Sequence, residues 1–283
     1  MNSIQKIDFV LTPAHGRSFG VDARLIRSGQ AKPVVIFVHG FKGFKDWGHF
    51  NLLADYFAQQ EFVFIKLNLS HNGTTLDSED LTDMEAFGQN NFSIELEDLR
   101  TLIDYLFRSP NDLPPEEVNL DKLYLIGHSR GGGLVILKAA EEPRVKAVAG
   151  WAPISDLAMR WPEQVLTDWQ KNGVHYIYNS RINQDMPLYY QLVEDFRANH
   201  SRLDIPSVVT RLKQPLFIIH AEDDETLPVS MAHELKANQP ATEVIILPAG
   251  GHTFGGKHPF PETTLPPAAQ FVADQTITFF RKL

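Results

Sequence analysis

Residues 123–134 read Leu-Tyr-Leu-Ile-Gly-His-Ser-Arg-Gly-Gly-Gly-Leu, with Ser129 at their centre. The apolar run 123–126 predicts a buried strand, and the apolar run 134–137 predicts the body of a helix. Between them, residues 127–131 have the spacing G-x-S-x-G, in which a serine sits on a tight strand-to-helix turn and glycines let the two elements pass closely. Ser129 is therefore a candidate nucleophile. The alternative is a glycine-rich turn that holds a serine by chance.

The composition narrows the classes of function. The chain has 283 residues, of which 43% are hydrophobic, enough for the core of one large α/β domain or two small ones. Its net charge of -9 argues against nucleic acid as a partner, because phosphate binding needs clustered lysines and arginines. The absence of cysteine excludes disulfides, thiol nucleophiles and thiolate metal sites.

Strands and helices alternate along most of the chain. Alternating apolar residues at 4–12 and 19–27 predict an opening hairpin, and the apolar runs 34–38 and 62–69 predict strands buried on both faces. Residues 76–90 have no sustained period and predict a surface loop. Further strands are predicted at 145–150, 216–220 and 244–247, and helices at 46–60, 94–107, 134–142, 229–237 and 267–282. This alternation indicates a parallel sheet wound by right-handed crossovers.

The alternation stops between residues 154 and 214. Residues 151–169 hold three of the four tryptophans, and residues 176–190 hold four of the seven tyrosines. Aromatic side chains have large apolar surfaces, so we expect these to be buried by packing against other parts of the protein. We therefore predict an inserted, mainly helical cap over the carboxyl edge of the sheet.

A serine hydroxyl needs a base at hydrogen-bond distance, and that base works best when a carboxylate orients it. Such groups gather where the strands of an open α/β sheet end. Four adjacent acids, residues 222–225, follow the predicted strand 216–220, and charge alone does not choose between them. His252 follows the strand that ends near Leu247, in the sequence Gly250-Gly251-His252. The chain thus has the order serine, acid, histidine that is typical of this turn.

These motifs resemble those of the α/β-hydrolase superfamily, and more narrowly of its dienelactone-hydrolase-like and acyl-peptidase-like serine esterases. The resemblance rests on His39-Gly40-Phe41, on residues 127–131, on Asp224-Glu225-Thr226-Leu227-Pro228 and on Gly251-His252. It implies one domain over residues 1–283 with the α/β-hydrolase fold. That fold is a mostly parallel twisted sheet with helices on both faces, here with an N-terminal antiparallel hairpin and a small helical cap insertion at 154–214.

The resemblance also implies the roles of individual residues. Ser129 would be the nucleophile, His252 the base and then the acid, and Asp224 the orienting carboxylate. Asp223 is the fallback acid, because Ala221 stands where the family often has glycine, and Asp156 is a weaker alternative. The oxyanion hole would consist of the backbone N–H groups of Phe41 and Arg130. On this view the amide of residue 130 matters more than its side chain.

The remaining histidines and aromatic residues are assigned less directly. His128, His39 and His71 are expected to be structural, and no compact histidine spacing indicates a metal. No dinucleotide or phosphate-loop pattern is present, so we expect no cofactor. The aromatic residues of the cap either line an acyl or aromatic pocket or form the cap's own core; the candidates for the pocket are Trp151, Trp161, Trp169 and Tyr176.

The sequence thus predicts a cofactor-free hydrolase that cleaves carboxylic esters through an acyl-enzyme. A peptidase or amidase with the same triad and an acyltransferase are alternatives, and a hydrolase-fold protein that binds a ligand without turnover is a third. The expected partner is a small-molecule ester or amide. Residues 1–8 do not look like a signal peptide, and no apolar run is long enough to span a membrane, so a cytoplasmic location is expected.

Overall fold

The computed structural model describes residues 3–157 and 162–283. Within these ranges the strands are β1 (Ile4–Leu11), β2 (Phe19–Ile26), β3 (Lys32–Val38), β4 (Val63–Leu67), β5 (Val118–His128), β6 (Val145–Trp151), β7 (Val174–Asn179), β8 (Gln184–Tyr189), β9 (Leu216–Ala221) and β10 (Glu243–Leu247). The helices are α1 (Phe50–Gln59), α2 (Met84–Gln89), α3 (Phe92–Leu106), α4 (Arg130–Glu141), α5 (Glu163–Asn172), α6 (Gln191–Ala198), α7 (His200–Leu203), α8 (Ile205–Thr210), α9 (Ser230–Asn238) and α10 (Pro267–Arg281). None of these helices is both long and apolar enough to cross a membrane.

Eight strands form one sheet in the order β1-β2-β4-β3-β5-β6-β9-β10. The last six of these strands run parallel, while β2 pairs antiparallel with both β1 and β4. The predicted opening hairpin and the mostly parallel sheet are confirmed. Because β3, β5, β6 and β9 are all parallel, their carboxyl ends meet at one edge of the sheet.

The two faces of the sheet carry separate hydrophobic cores, which explains why the central strands are apolar on both sides. Leu99 of α3 and Leu134 of α4 belong to the core on one face. Phe57 of α1 and Phe280 of α10 belong to the core on the other, where the Phe280 ring stacks on Tyr124 with centroids 4.4 Å apart. Helices therefore cover both faces, as predicted.

One short helix lies where the sequence predicts a loop. Helix α2 begins within residues 76–90, and the Asp83 side chain caps it by accepting a hydrogen bond of 3.0 Å from the Ala86 amide. A helix of six residues completes fewer than two turns, so it leaves no sustained period in the sequence. The cap residue is the signal that could have revealed it.

The segment between β6 and β9, called the cap below, differs in one respect from the mainly helical insertion that the sequence predicts. Besides helices α5 to α8 it contains the antiparallel hairpin β7–β8. Tyr176 and Tyr178 point outward from β7 and are 58% and 57% exposed, whereas Ile177 between them is partly buried against the core. Because tyrosines occupy the outward positions where polar residues are expected, the sequence lacks the alternation that indicates a strand.

Candidate active site

Ser129 lies in a strained turn between β5 and α4. Its φ and ψ are 57° and -121°, a backbone conformation that residues other than glycine rarely adopt. A Cβ atom added to Gly127 would lie 2.2 Å from the Gly131 carbonyl oxygen, and one added to Gly131 would lie 2.4 Å from the Val38 carbonyl oxygen. Both positions therefore require glycine. The Ser129 amide also donates to the Trp151 carbonyl at 2.9 Å, which fixes the turn to β6.

The structure brings Ser129, His252 and Asp224 into one hydrogen-bonded chain. The Ser129 Oγ lies 2.9 Å from His252 Nε2, and His252 Nδ1 lies 2.8 Å from Asp224 Oδ2. Since the carboxylate can only accept, Nδ1 carries the imidazole proton and Nε2 is left to accept the serine proton. This arrangement can remove the proton from a serine hydroxyl as it attacks.

The two neighbouring aspartates have different partners. The Asp224 Oδ1 accepts hydrogen bonds from the amides of Thr226 and Leu227 at 2.8 and 2.9 Å. Burial acts to raise the pKa of Asp224, but the hydrogen bond from His252 and those from the two amides lower it overall, so the group is a carboxylate. Asp223 instead accepts from the amides of Gly250 and Gly251 at 2.9 and 2.8 Å. It therefore holds the loop that carries His252.

A second histidine contacts the same carboxylate. The Nε2 atom of buried His220 lies 3.0 Å from the Leu227 carbonyl oxygen and 3.2 Å from Asp224 Oδ2. Burial lowers the pKa of His220, so the ring is neutral and its Nε2–H is shared between these acceptors. The sequence pattern does not predict this contact of His220. Its position four residues before Asp224, at the end of β9, is the signal that could have revealed it.

Residues 39–43, here called the His39 loop, pack directly against the serine. A Cβ atom added to Gly40 would lie 2.9 Å from Ser129 Cβ, so the loop approaches as closely as glycine permits. His39 Nδ1 donates to the Gly40 carbonyl at 2.9 Å, and its Nε2 accepts from the Leu69 amide at 3.2 Å. The ring is thus neutral and braces the loop, and burial lowers its pKa to about 4.

The amides of Phe41 and Arg130 are available to a ligand. Within residues 3–157 and 162–283, neither N–H donates a hydrogen bond to another protein atom. Arg130 is the first residue of α4, where a backbone N–H has no partner inside the helix and the helix dipole favours negative charge. These two amides are suited to hold an oxyanion.

The side chain of Arg130 makes contacts that the sequence does not predict. Its guanidinium pairs with the buried carboxylate of Glu95. The same guanidinium lies 4.5 Å from the ring centroid of Phe41 and 5.3 Å from that of Phe92. Arg130 therefore connects the His39 loop to α3 and α4 through cation–π contacts. Its side chain therefore also contributes to the shape of the site.

A cavity of about 630 Å³ opens beside Ser129 and His252. Its walls combine side chains of the cap with others from α3 and from the segments after β6 and β9. They are mostly apolar and include Phe92, Ile154, Leu157, Ile177, Leu188 and Met231. Asp156 lies on this wall, whereas Asp224 is the acid that contacts His252. The cavity can hold an apolar or aromatic group next to the serine.

Three of the four aromatic residues predicted for the pocket lie elsewhere, and for these three the prediction is wrong. Trp151 is buried beneath the sheet, where its Nε1 donates to Thr276 at 3.0 Å. Trp169 is buried inside the cap and donates to the Leu188 carbonyl at 2.7 Å, and Tyr176 is exposed. None of these three lines the cavity, and Trp161 lies outside the described residues. Each buried indole packs where its N–H finds an acceptor.

Two further histidines have structural contacts, as predicted. His128 Nε2 donates to the His252 carbonyl at 2.8 Å, and the two rings lie 4.8 Å apart. Burial, followed by the nearby His252, lowers the pKa of His128 to about 3. His71 contacts Ser70 Oγ through Nδ1 at 2.8 Å. Among the described residues, no group of three or more histidine and acidic side chains is arranged to hold a metal ion.

The sequence and fold match known proteins over most of their length. A model of the alpha/beta hydrolase family matches residues 35–263. A dienelactone hydrolase from Anabaena variabilis has a TM-score of 0.66 at 17% identity, over 99% of this chain and 98% of that one. Est1E from Butyrivibrio proteoclasticus has a TM-score of 0.70 at 15% identity, over 97% and 98% of the two chains, and has also been solved with ferulic acid bound. No curated protein sequence matches significantly.

The neutral buried histidines predict that the protein loses stability in acid. In the unfolded chain His39 and His128 take up protons below about pH 6.5, whereas in the folded protein their pKa values are about 4 and about 3. Their contribution to the free energy of unfolding is therefore fully present above pH 6.5. Between pH 6.5 and 4 it falls by roughly 1.4 kcal/mol per pH unit for each ring. Urea unfolding between pH 7.5 and 4.5 measures this slope.

The substitution His128→Gln separates the effect of His128 on stability from that of other titrating groups. His128→Gln keeps an N–H donor near the His252 carbonyl but has no proton to bind, so we expect a shallower loss of stability with falling pH. His233→Gln, on the exposed side of α9, is the matched control. An unchanged pH slope in His128→Gln would contradict the assignment.

Proposed function

The chain belongs to the alpha/beta hydrolase family, and from this premise we propose that it is a serine hydrolase that cleaves carboxylic esters through an acyl-enzyme. The observation that carries the proposal is the hydrogen-bonded chain from Ser129 Oγ through His252 to Asp224. Its position between two available amides and an apolar cavity supports attack on the carbonyl carbon of a bound ester.

In the first half of the reaction the Ser129 oxygen bonds to the carbonyl carbon and its proton moves to His252 Nε2. Asp224 keeps the imidazole in the required tautomer and stabilises the imidazolium that forms. The carbonyl electrons move to the oxygen, which accepts hydrogen bonds from the amides of Phe41 and Arg130. One such donor lowers the barrier by about 3 kcal/mol.

The tetrahedral intermediate then collapses as His252 passes its proton to the leaving alcohol, and the acyl group remains on Ser129. Water enters, gives a proton to His252 and attacks the acyl carbon. The proton returns to the serine oxygen as the carboxylic acid leaves. No cofactor or metal is needed for these steps, because the base, the nucleophile and the oxyanion donors all come from the chain.

The substrate we propose is a small ester with an apolar or aromatic group. The mostly apolar wall of the cavity supports this class, and so do the names of the esterase and dienelactone hydrolase of similar fold. Turnover of aminoacyl anilides but not of short-chain aryl esters would favour an amidase or peptidase. An acyltransferase would form more product with an added alcohol than with water. A non-catalytic binding protein would hold a ligand tightly without a burst of product.

Two other expectations stay predictions. These are the cytoplasmic location and the single-domain organisation of residues 1–283 with a cap at 154–214.

A fluorophosphonate probe tests the nucleophile. We expect the wild-type protein to be labelled and Ser129→Ala not to be labelled, because only a serine activated by His252 reacts at an appreciable rate. Ser70→Ala is the matched control, since Ser70 also lies within hydrogen-bond distance of a histidine but outside the cavity lined by Ser129. Its labelling should equal that of the wild type. Labelling of Ser129→Ala at the wild-type rate would overturn the assignment.

A pair of substitutions tests which aspartate is the acid. Asp224→Asn should lower kcat for an aryl ester by about four orders of magnitude, because His252 loses the carboxylate that orients and stabilises it. Asp223→Asn keeps an oxygen acceptor for the Gly250 and Gly251 amides, so it should lower kcat by less than about tenfold. Equal losses in the two variants, or a larger loss in Asp223→Asn, would instead favour Asp223.

A further inference from the structure

A second, smaller cavity of about 170 Å³ also reaches Ser129 and His252. It lies between the His39 loop and the turn of the β7–β8 hairpin. Two of its wall residues, Lys42 and Arg181, carry positive charge. Its wall also includes Asn179 and Trp47. The serine thus stands between a mostly apolar cavity and a smaller one; Lys42 lines both, and Arg181 lines only the smaller of these two.

Among the described residues, these two cations have no carboxylate partner, whereas several buried cations of the protein do. Buried Lys32 pairs with Glu117 at 2.5 Å, and Arg130 pairs with Glu95. Within residues 3–157 and 162–283, no carboxylate oxygen lies within 4.0 Å of the Lys42 ammonium or the Arg181 guanidinium.

The backbone holds the two cations together at a cost. Arg181 donates from a guanidinium nitrogen to the Lys42 carbonyl oxygen at 2.8 Å, which joins the hairpin turn to the His39 loop. Lys42 has a φ of 58°, a conformation that glycine adopts without strain and that costs other residues about 1 kcal/mol. A lysine here therefore keeps a long cationic side chain beside the serine at the expense of backbone strain.

The electrostatics of Lys42 favour the binding of an anion. Partial burial, and then the positive charge of Arg181, lower the pKa of the Lys42 ammonium. Two like charges placed close together repel each other, and an anion between them would offset this repulsion by attracting both. A carboxylate or phosphate oxygen would accept hydrogen bonds from both, and such charge-assisted bonds are stronger than neutral ones.

We propose that Lys42 and Arg181 form a subsite for an anionic group of the substrate, so that the preferred ester carries a carboxylate or a phosphate on the portion that enters the smaller cavity. The apolar portion then occupies the larger cavity, and the scissile carbonyl lies between them at Ser129. This inference rests on the proposed ester hydrolysis and names the class of ester. Its two candidate anions share the same chemistry and are separated by the test.

A set of similar esters with and without an anionic group provides the test. The butyrate esters of 4-hydroxybenzoate and of 4-hydroxyphenyl phosphate carry an anion on the alcohol side, and the butyrate ester of 4-hydroxybenzamide is the neutral counterpart. The hemisuccinate ester of 4-hydroxybenzamide carries the anion on the acyl side. We expect kcat/KM to be about tenfold or more higher for at least one anionic ester than for the neutral one, mainly through a lower KM.

Substitution of Arg181 then assigns the preference to this subsite. Arg181→Gln should reduce the anionic-to-neutral ratio of kcat/KM by about tenfold, and Arg181→Lys, which retains the charge, should restore most of it. Lys42→Gln should act in the same direction. Arg211→Gln is the matched control, because Arg211 is also an exposed arginine whose guanidinium donates to a backbone carbonyl, that of Ser201, at 3.2 Å. Its ratio should equal that of the wild type.

The outcomes separate this inference from the function on which it rests. If the neutral ester is cleaved and no anionic ester is preferred, the subsite is refuted while ester hydrolysis stands. A preference that survives in Arg181→Gln and in Lys42→Gln would also refute it. If none of the esters is cleaved, the proposed function fails and the subsite fails with it.

Discussion

The site depends on how closely three backbone segments approach one another around Ser129. The serine adopts a positive φ, and Gly127, Gly131 and Gly40 lie where any side chain would collide with backbone or with the serine itself. The parallel strands β3, β5 and β6 bring these segments to a common edge. Their hydrogen bonds and the two cores hold the strained turn in place. Without this packing the serine would not reach His252 or stand beside the amides of the His39 loop.

The features of the fold that leave a regular pattern of apolar residues could be predicted from the sequence. Apolar runs bounded by turns indicated the parallel strands, and the G-x-S-x-G turn, the acid loop and His252 could be placed because each follows a strand at the same edge. Charge could not distinguish Asp224 from Asp223, because adjacent side chains on a loop point in different directions. Only the structure shows that one contacts the imidazole and the other the glycine amides.

The cap was the least predictable segment, and the same reasons make the substrate specificity hard to predict. Aromatic residues indicate buried surface but not which surface they cover, so Trp151 and Trp169 could be assigned to a pocket although they pack in cores. The β7–β8 hairpin is held by pairing between its own strands and by a contact with the His39 loop, which lies far away in the sequence. That contact brings Arg181 beside Lys42. Pattern and spacing along the chain cannot reveal such a pairing.

Detection of the covalent intermediate tests the central claim most directly. The protein would be mixed with 4-nitrophenyl butyrate, quenched in acid within milliseconds, digested with trypsin and analysed by mass spectrometry. Cleavage after Lys122 and Arg130 releases one peptide, 123–130, that contains Ser129. We predict a butyryl group on Ser129 in this peptide, formed and lost at rates that match turnover. Turnover of the ester with no acyl group on Ser129, or with the acyl group on another residue, would contradict it.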